Sequence, residues 1–427
     1  PPRSTLFPYT TLFRSAVEVA LAMGFLGASL ALATRPVPAL IATGLAGSCT
    51  AVWRQAVAAE VFALHLLLLS ILIWLAILWE HSEDARRREI LLATSFIVGC
   101  SLAHQHIMAL AAPIFVVFGI YARGRGRTWG FSWLNLPIFL ASMLLPYYLQ
   151  WYIACQSPAI NWNDVTTLDR LLDHFLRKTY GTGLLNAAAL QFDARTGDAQ
   201  VSAFFISLVR NYFVFPSFLF ILAAFDRLLM KPRPEPKVLL FLGIAIVYGP
   251  FFGKLGNQPS AEFFFDMMER FYASSMLGLA GLIALGIDWA AFSLWPASQR
   301  YLALGFWLVV FNLGSNYAKC SQHQDYHATD LIRGFFREVP NRSAILVSGD
   351  LPVGSTFYVQ RALREHRNVL VIIPGLSSAQ WYRDTLPVGL DLAARKGATD
   401  GRLSNEAAVT KMVEYLDARG VPVYCNV

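Results

Sequence analysis

The sequence predicts an α-helical protein that crosses a membrane about ten times and carries a small α/β domain at its C-terminal end. Of its 427 residues, 56% are hydrophobic and only 15% are charged, and the mean hydropathy is +0.46. A soluble domain carries about 25% charged residues, so this composition is typical of a polytopic membrane protein. The net charge of +7 comes from basic residues in short loops between apolar segments. This is the pattern of cytoplasmic loops and does not indicate nucleic-acid binding.

The first fifteen residues, PPRSTLFPYTTLFRS, form a segment of their own. They lack the continuous apolar core and the small-residue cleavage site of a signal peptide. Over its whole length this stretch resembles the in-frame translation of a common sequencing adapter. We therefore expect an artefactual segment at 1–15 and protein sequence from Ala16. On that interpretation the natural N-terminus is missing, and the strand-like end VPVYCNV suggests that the C-terminus is cut as well.

Apolar segments of membrane-spanning length follow one another along the chain, and we expect a polytopic membrane domain over 16–316. The predicted segments are Ala16–Thr34, Val37–Trp53, Val61–Glu80, Ile90–Tyr121, Phe131–Leu149, Ser202–Phe225, Val238–Phe252, Ala273–Ala290 and Tyr301–Asn316. Arg35-Pro36 separates the first two. The stretch 150–201 is too polar to span a membrane and is expected to be an outer loop.

The segment Ile90–Tyr121 is too long for one span. As one helix its 32 residues would extend about 48 Å, against a hydrocarbon core of about 30 Å. One helix would place the basic runs Arg86–Arg88 and Arg123–Arg127 on opposite faces of the membrane. Two shorter helices that meet at His104–His106 place both runs on the cytoplasmic side. We therefore predict a hairpin, with His104–His106 and Trp53–Glu60 together on the outer face.

The composition changes from about Tyr317, and we expect a small extracytoplasmic α/β domain over 317–427. The predicted strands are Ala344–Ser348, Val369–Ile373 and Val421–Tyr424, and the predicted helices are Ser355–Glu365, Ser378–Thr385 and Asn405–Arg419. This alternation favours a parallel sheet. Asp350 follows the first strand, at the edge where such sheets bind ligands. A turn or helix-cap role for Asp350 is the simpler interpretation.

The stretch Trp53–His65, WRQAVAAEVFALH, places Arg54 and Glu60 between two apolar segments. A charge at that depth costs a few kcal/mol, so a polar cavity is the functional interpretation. The alternative is an interfacial pair that anchors a helix end. Arg270 lies where an outer loop meets a helix, and it either snorkels to the interface or binds a phosphate.

His104 and His106 fall on the same predicted face. No nearby Cys, Asp or Glu completes a metal site around this pair, so we expect no metal. We expect the two imidazoles to line a water-filled pocket, where proton transfer or phosphate contact is open to them. The five cysteines are scattered and indicate neither a disulfide framework nor a metal centre.

The outer loop contains NWNDVTTLDRLLDHFLRKTYG, Asn161–Gly181. Thr166 and Asp169 have the form of a capping box. An apolar stripe at helical spacing follows, made of Leu168, Leu171, Leu172, Phe175 and Leu176. Arg177 and Lys178 end the helix, where cations suit the helix dipole. Such a helix either lies on the membrane surface or roofs a cavity, with Arg177 or Lys178 facing an anionic headgroup.

Several of these motifs resemble, in order and spacing, one family of membrane proteins. They are WRQAVAAEVFALH, GCSLAHQHIMALAAP, INWNDVTTLDRLLDHFLRKTYG and ERFYASS, and the later SGD, NVLVIIPG and WY extend the resemblance to about Tyr382. The family was long a domain of unknown function. It has many bacterial members and an animal member regarded as an ER protein O-mannosyltransferase. The chain departs from the usual forms at Phe62 (usually Tyr), at Gln105 between the histidines, and at Asn163 and Val165 (usually Gly and Pro).

The resemblance implies a GT-C type glycosyltransferase. Such enzymes move a sugar from a polyprenyl-phosphate carrier to a protein or glycan hydroxyl on the outer side of the membrane, here with inversion and without a cofactor. The resemblance also implies an acidic general base in a first outer loop, which would precede Ala16. The catalytic base is therefore unknown, and this polypeptide is predicted to be an inactive fragment. Glu60 is then a second carboxylate.

On this interpretation the outer face carries the donor and acceptor sites. The predicted donor phosphate and sugar ligands are Arg54, His104, His106, Arg177, Lys178, Arg270 and Tyr272, and the predicted acceptor or pocket loop is Asn161, Trp162 and Asp164. Cations would stabilise the departing phosphate, and a carboxylate would accept the proton of the hydroxyl. The expected partners are the lipid bilayer, the polyprenyl-phosphate-linked sugar and the acceptor. The expected location is the inner membrane of a bacterium or the endoplasmic reticulum of a eukaryote.

The alternative function is that of a transporter or flippase for a lipid-linked anion. Transporters typically show inverted repeats and helices broken near the midplane of the membrane. The sequence shows no repeat, and its polar residues cluster at one predicted face. These two observations favour the enzyme.

Overall fold

The computed structural model describes residues 6–58, 60–124, 126, 128–156, 164–176, 194–212, 235–256, 262–290, 300–321, 327–398 and 403–425. The chain divides into two compact units. The helical unit comprises Thr10–Leu149 and Arg177–Ser321. The sheet unit comprises Pro1–Tyr9, Gln150–Leu176 and Gln322–Val427.

The helices up to residue 321 have the following bounds. They are α1 (Leu6–Ala33), α2 (Pro36–Ser48), α3 (Thr50–Val57), α4 (Phe62–His81), α5 (Asp84–His104), α6 (Ala112–Arg123), α7 (Asn135–Cys155), α8 (Leu168–Phe175), α9 (Ala194–Tyr212), α10 (Pro236–Ile246), α11 (Phe252–Gly256), α12 (Glu262–Trp289) and α13 (Arg300–Cys320). A 3₁₀ turn (His106–Ala111) precedes α6, and a π turn (Val247–Phe251) links α10 to α11. Of these helices, α8 belongs wholly to the sheet unit, and the last residues of α7 and the first residues of α1 are also assigned to it.

Six segments of the described chain are long and apolar enough to cross a membrane. They are Phe13–Ala33, Phe62–His81, His106–Arg123, Asn135–Cys155, Pro236–Leu255 and Met268–Trp289. The bent pair α2 and α3 would be a seventh. The described chain is therefore that of a multi-pass membrane protein. The count of about ten spans is not confirmed. Helices α5 and α13, which cover two predicted spans, are not among these segments, and part of the predicted span Ser202–Phe225 lies outside the described residues.

The segment Val37–Trp53, predicted as one helix, is two helices, α2 and α3, bent by 62°. Cys49 between them has extended backbone, with φ −74° and ψ 147°. A break in an apolar layer frees backbone carbonyls, which need other donors. Asn316 of α13 donates to the carbonyl of Ser48 at 3.0 Å, and Asn312 donates to Ser48 Oγ at 2.9 Å. The neighbouring helix thus stabilises the bend, which the apolar pattern of the segment alone does not reveal.

The predicted hairpin at His104–His106 is confirmed. Helix α5 ends at His104, and the chain returns through the 3₁₀ turn and α6. At the far end of this hairpin the Trp79 indole donates to the carbonyl of Trp129 at 3.3 Å, so both chain segments that flank the hairpin lie together. The triple arginine Arg86–Arg88, predicted in a loop, instead lies in the first two turns of α5.

Helix α10 packs closely on α12 in the middle of the helical unit. A Cβ on Gly278 of α12 would lie 2.5 Å from the carbonyl oxygen of Phe241 in α10. Small residues permit this approach of two backbones, which is the usual basis of helix packing in membranes. The neighbouring side chains Phe241 and Tyr248 are fully buried, so the contact is part of the core.

Charged residues of the helical unit lie at two levels along α12. At one level Asp288 accepts a hydrogen bond from the backbone N–H of Arg35 at 3.2 Å, and Lys237 donates to the carbonyl of Ala33 at 2.7 Å. At the other level lies Glu269, which is 19 residues from Asp288. At 1.5 Å per residue the two levels are about 28 Å apart, close to the thickness of a bilayer core. They are named here the Asp288 end and the Glu269 end.

The sheet unit contains a three-stranded parallel sheet in the order β2-β1-β3. Its strands are β1 (Ala344–Leu346), β2 (Leu370–Ile372) and β3 (Val423–Cys425), and its later helices are α14 (His327–Glu338), α15 (Asp350–Phe357), α16 (Gln380–Arg383), α17 (Val388–Arg395) and α18 (Asn405–Asp417). Each strand overlaps its predicted position. Asp350 is the first residue of α15, which agrees with a helix-terminus role.

Both faces of this sheet are covered by helices. On one face Ile345 and Val347 pack with Phe336 of α14, and on the other Ile372 packs with Met412 of α18. Burial on both faces explains why the strands are continuous apolar runs in the sequence.

Helix α8 is capped by Thr167 and not, as predicted, by Thr166. The Thr167 side chain accepts the backbone N–H of Arg170 at 3.3 Å, whereas the Thr166 hydroxyl donates to Asp164 Oδ1 at 3.2 Å. The helix therefore begins one residue later, because the turn at Asp164 uses the first hydroxyl. The apolar stripe is present but exposed, with Leu168 at 68%.

Candidate functional site

Two ion pairs join α12 to the chain around α3 at the Glu269 end. Arg54 Nη1 lies 2.7 Å from Glu269 Oε2, and Arg270 Nη1 lies 2.9 Å from Glu60 Oε2. The pairing is crossed, since each of two consecutive residues on α12 binds the opposite charge from the segment 54–60. Arg54 and Glu60, six residues apart in the sequence, therefore do not pair with each other.

Local structure places these charges. The bend at Cys49 makes α3 a short separate helix that ends at Val57, with Arg54 in its last turn. Glu60 lies in the short connection that precedes α4. Without the bend, the last two turns of a straight helix would continue the axis of α2. The asparagines of α13 that hold the bend therefore help to position Arg54.

Glu269 is held by three donors from two other helices. Besides Arg54, it accepts the hydroxyl of Thr50 on α3 at 3.3 Å and the hydroxyl of Ser207 on α9 at 3.4 Å. Its side chain is only 14% exposed. A carboxylate so enclosed is stabilised by its hydrogen bonds, and removing one of them leaves a buried charge undersatisfied.

The second pair is more open. Arg270 uses one nitrogen, Nη1, for both oxygens of Glu60, at 3.1 and 2.9 Å. The two side chains are 29% and 43% exposed. The Arg270 guanidinium also lies 5.7 Å from the centre of the Phe62 ring, which itself packs edge-on against Phe271. The Phe62 ring thus contacts one side of the Arg270 guanidinium, and the ion pair remains partly exposed on the other.

The predicted histidines lie at the same end. His104 Nε2 is 2.9 Å from the carbonyl oxygen of Val61, directly after Glu60. His106 Nε2 is 3.4 Å from the hydroxyl of Tyr147. The structure therefore brings His104 beside the Glu60 segment, as the hairpin predicts. Within the described residues no group of three His, Cys, Asp or Glu side chains could hold a metal ion.

Tyr272, predicted as a donor ligand, is a core residue. Its side chain is 1% exposed, and its hydroxyl donates to the carbonyl of Gln200 at 3.0 Å. It follows Arg270 by two positions, which is about 200° around the helix, so it lies on the opposite, inner side of α12. The structure thus brings Arg54, Glu60 and Arg270 to one surface, whereas Tyr272 is buried beneath that surface.

The predicted acceptor loop is only partly described. Asn161, Trp162, Arg177 and Lys178 lie outside the described residues. Asp164 belongs to the sheet unit, where it forms an ion pair with Arg170 and has a left-handed backbone with φ 44°. Its proposed role in an acceptor loop stays a prediction.

Two carboxylates of the Glu269 end were not among the predicted ligands. Glu269 precedes Arg270 directly, and its position at the start of a membrane helix was the available signal. Glu18 of α1 is paired with Arg14 at 2.7 Å and is 12% exposed, and both interact electrostatically with His104. Arg14 lies in the segment expected to be artefactual, yet in the structure it continues α1.

The chemistry open to this surface follows from its charges. Arg54 and Arg270 offer two guanidinium groups at one end of the helical unit, and arginine suits phosphate and carboxylate groups because its donors form a planar fork. Neighbouring carboxylates, Glu60 and Glu18, could accept hydrogen bonds from sugar hydroxyls or take up a proton. An anionic, hydroxyl-bearing ligand at a membrane surface fits this arrangement best.

Comparison with known proteins finds a matching family model and similar proteins. Residues 10–129 match the family model described as the protein O-mannosyl-transferase TMEM260 N-terminal domain. The chain is 27% identical over 405 residues to the mouse protein O-mannosyl-transferase TMEM260, covering 88% of this chain and 56% of that protein. It is 21% identical over 379 residues to the corresponding protein of Dictyostelium discoideum, covering 78% of this chain and 45% of that protein. The chain spans about half the length of the curated relatives it matches, and no solved structure matches it.

Proposed function

We propose that this chain is the membrane part of a glycosyltransferase resembling protein O-mannosyltransferases. It takes a sugar from a polyprenyl-phosphate donor and passes it to a protein hydroxyl on the outer side of the membrane, with inversion at the sugar. The observation that carries this proposal is the pair of guanidinium groups, Arg54 and Arg270, held beside carboxylates at the Glu269 end. The names of the matched relatives supply the reaction class.

The residues have distinct tasks in the proposed reaction. The acceptor oxygen attacks the anomeric carbon while the bond from that carbon to the phosphate oxygen breaks, and the phosphate leaves with the bonding electrons. Arg270 and Arg54 bind the phosphate and stabilise its growing negative charge. A carboxylate takes the proton of the acceptor hydroxyl. Resemblance assigns that base to a first outer loop, and Glu60 acts as a second carboxylate near the sugar.

The membrane arrangement fits this chemistry. The donor is amphipathic, so its phosphate belongs at the membrane surface and its polyprenyl tail between lipid-facing helices. The Glu269 end lies about 28 Å from the Asp288 end, near the thickness of a bilayer core, so it provides such a surface. We assign the Glu269 end to the outer face, because the arginine-rich segments lie at the Asp288 end. We assign the sheet unit to the outer side as an extracytoplasmic α/β domain.

The test is transfer activity after removal of Arg270. It uses a complete family member that carries these residues, since this chain spans about half of its relatives. Arg270→Ala should lower transfer of mannose from a polyprenyl-phosphate carrier to a Ser/Thr peptide about a hundredfold or more, because one preorganised donor to the transition-state charge is lost. The measurement is incorporation of radiolabelled mannose in proteoliposomes.

Lys411→Ala is the matched control for this test. It removes an exposed charge in the sheet unit, where Lys411 pairs with the exposed Glu414 at 2.7 Å, and full activity is expected. Turnover at the wild-type rate in Arg270→Ala would overturn the assignment of the phosphate site. Transport of the lipid-linked sugar without any transfer would favour a flippase instead.

A further inference from the structure

The two ion pairs at the candidate site differ in how firmly the carboxylate is held. Glu269 is 14% exposed and has Arg54, Thr50 and Ser207 as donors. Glu60 is 43% exposed, and among the described residues its hydrogen bonds come from Arg270. An exposed ion pair contributes little to stability, whereas breaking the hydrogen bonds of a buried charge is costly. The two arginines therefore differ in how readily they can accept a new anion.

We propose that Glu60 is a displaceable stand-in for the donor phosphate on Arg270, while Glu269 is a permanent support for Arg54. This inference rests on the proposed function, because it takes the phosphate of a lipid carrier as the ligand. In the ligand-free state the Glu60 carboxylate neutralises Arg270. Binding of the phosphate replaces the carboxylate, and Glu60 is set free at the moment when the donor is in place.

The surroundings of Arg270 suit such an exchange. The guanidinium binds Glu60 through Nη1, and its Cζ lies 5.7 Å from the centre of the Phe62 ring. The ring packs against Phe271, which in turn packs against Phe252 at 4.9 Å. This aromatic cluster holds the guanidinium in position when Glu60 departs, so the arginine stays in place for the phosphate. A phosphate carries more charge and more acceptor oxygens than a carboxylate, so it binds the Arg270 guanidinium more strongly than Glu60 does.

The exchange has a consequence for the reaction. A carboxylate offers about four acceptor positions, and the contact with Arg270 occupies part of them. Replacement by the phosphate frees these positions for sugar hydroxyls, so binding of the donor completes the site. Glu269, by contrast, is a positioning residue that acts through Arg54.

Binding of a short prenyl phosphate tests this proposal directly. The probe is farnesyl phosphate, with uncharged farnesol as its control, titrated against the full chain in nanodiscs by calorimetry or tryptophan fluorescence. Glu60→Gln should bind farnesyl phosphate more tightly than the wild type, by up to about fivefold, because the competing pair costs up to about 1 kcal/mol. Glu269→Gln should bind it more weakly, because Arg54 loses its support. Farnesol binding should be the same in all variants.

Two further variants separate exchange from a general charge effect. Asp198→Asn removes another exposed carboxylate, the one paired with Lys254, and should leave the affinity for farnesyl phosphate unchanged. In an Arg270→Ala background, Glu60→Gln should no longer change the affinity, since the two residues act through one contact. Glu60 is exposed, so its variant is expected to fold, and thermal unfolding verifies this.

The outcomes distinguish this inference from the function on which it rests. If the wild type binds farnesyl phosphate but Glu60→Gln binds it equally or less well, the exchange is wrong and the phosphate site stands. Equal tightening by Asp198→Asn would likewise replace exchange by a general charge effect. If neither the wild type nor Glu60→Gln distinguishes farnesyl phosphate from farnesol, the proposed phosphate site itself is refuted.

Discussion

At the scale of single residues, the ion pairs of this protein differ in stability because their members differ in exposure and in the number of further hydrogen bonds they form. Glu269 has donors from α3 and α9 and little exposure, whereas Glu60 is half exposed and depends on one nitrogen of Arg270. The same rule applies in the sheet unit. There Arg383 is 9% exposed and Asp391 is 14% exposed, and Arg395 completes a three-membered cluster at 2.8 Å from Asp391.

The cluster around Asp391 predicts a pH-dependent stability of the sheet unit. Burial alone would raise the pKa of Asp391, but hydrogen bonds from Arg395 and Arg383 outweigh it and hold the pKa below its usual value. A carboxyl with a lowered folded-state pKa stabilises the fold above its unfolded-state pKa, about 3.9, and this stabilisation is lost as the pH falls through the lower folded value. Asp391→Asn should therefore destabilise the unit by about 2 kcal/mol at neutral pH, and the difference should shrink below about pH 4.

Hydrogen exchange of peptides from α16 and α17 at neutral and acidic pH measures this difference. The control is Glu414→Gln, which removes a carboxylate whose side chain is 56% exposed and should change the exchange at neither pH. A constant difference between Asp391→Asn and the wild type across the pH range would contradict the assignment to ionisation.

At the scale of helices, the chain shows two ways in which an apolar segment is adapted to its neighbours. The bend between α2 and α3 is stabilised by Asn316, which donates to the Ser48 carbonyl, and by Asn312, which donates to the Ser48 hydroxyl. The contact of α10 with α12 depends on the absence of a side chain at Gly278. Both features are set by the partner helix.

The Gly278 contact predicts that a single methyl group will disturb the helix pair. In Gly278→Ala the new Cβ would lie 2.5 Å from both the Phe241 carbonyl oxygen and the Ala245 nitrogen, so a backbone has to move. We expect a loss of about 1–3 kcal/mol, as for other overpacked cores. Thermal unfolding of the detergent-solubilised protein measures it as a lowered Tm.

Gly314→Ala is the matched control for the same substitution in another helix. Gly314 lies in α13 with nothing within 4 Å of the site of a Cβ. Alanine there should be neutral or stabilise the helix by up to about 1 kcal/mol, because its helix propensity is higher. Equal losses in both variants would show that glycine matters for a reason other than the contact with α10.

At the scale of the whole molecule, the helical unit has two polar levels separated by about the thickness of a bilayer core. The Glu269 end carries the candidate site, and the Asp288 end carries Arg35, Lys237 and the start of α5. The hairpin of α5 and α6 turns at the Glu269 end, where His104 meets the carbonyl of Val61. Positive charge at the other end is the usual signal for the cytoplasmic side.

This arrangement predicts the sidedness of single cysteines. In a background without the five native cysteines, Arg86→Cys and Arg123→Cys should react with a membrane-impermeant maleimide only from the cytoplasmic side, and Val61→Cys only from the outside. All three positions are exposed in the structure. Position 87 is unsuitable, because Arg87 is 2% exposed and bonded to Ser82 and Trp79.

Intact and permeabilised vesicles provide the two readings for each variant. Labelling of positions 86 and 123 from opposite sides would refute the hairpin. Labelling of position 61 from the cytoplasmic side would invert the proposed orientation and remove the candidate site from the outer face.

The sequence was enough to predict most of the long apolar helices, the break in the long apolar stretch and the positions of the three strands, but it did not predict α14 and α17. It also singled out Arg54, Glu60 and Arg270 as charges in an apolar context. It did not predict the bend at Cys49. Gly47 and Ser48 precede the bend, but small residues suit close helix packing as well as a kink, and the support of the bend comes from α13. It also placed Tyr272 at the site, since a sequence pattern near a helix start does not show which face is inward.

The sequence by itself determined that this chain is a multi-pass membrane protein with charges concentrated at particular helix ends, because hydropathy, turn residues and arginine runs are local properties. Only the tertiary structure decided which charged residues form ion pairs, namely Arg54 with Glu269 and Arg270 with Glu60. Residues six apart cannot meet along one helix, and contacts between positions more than 200 residues apart arise only when α3 and α12 pack. The difference between the enclosed carboxylate of Glu269 and the exposed carboxylate of Glu60 therefore arises from the packing of the helices.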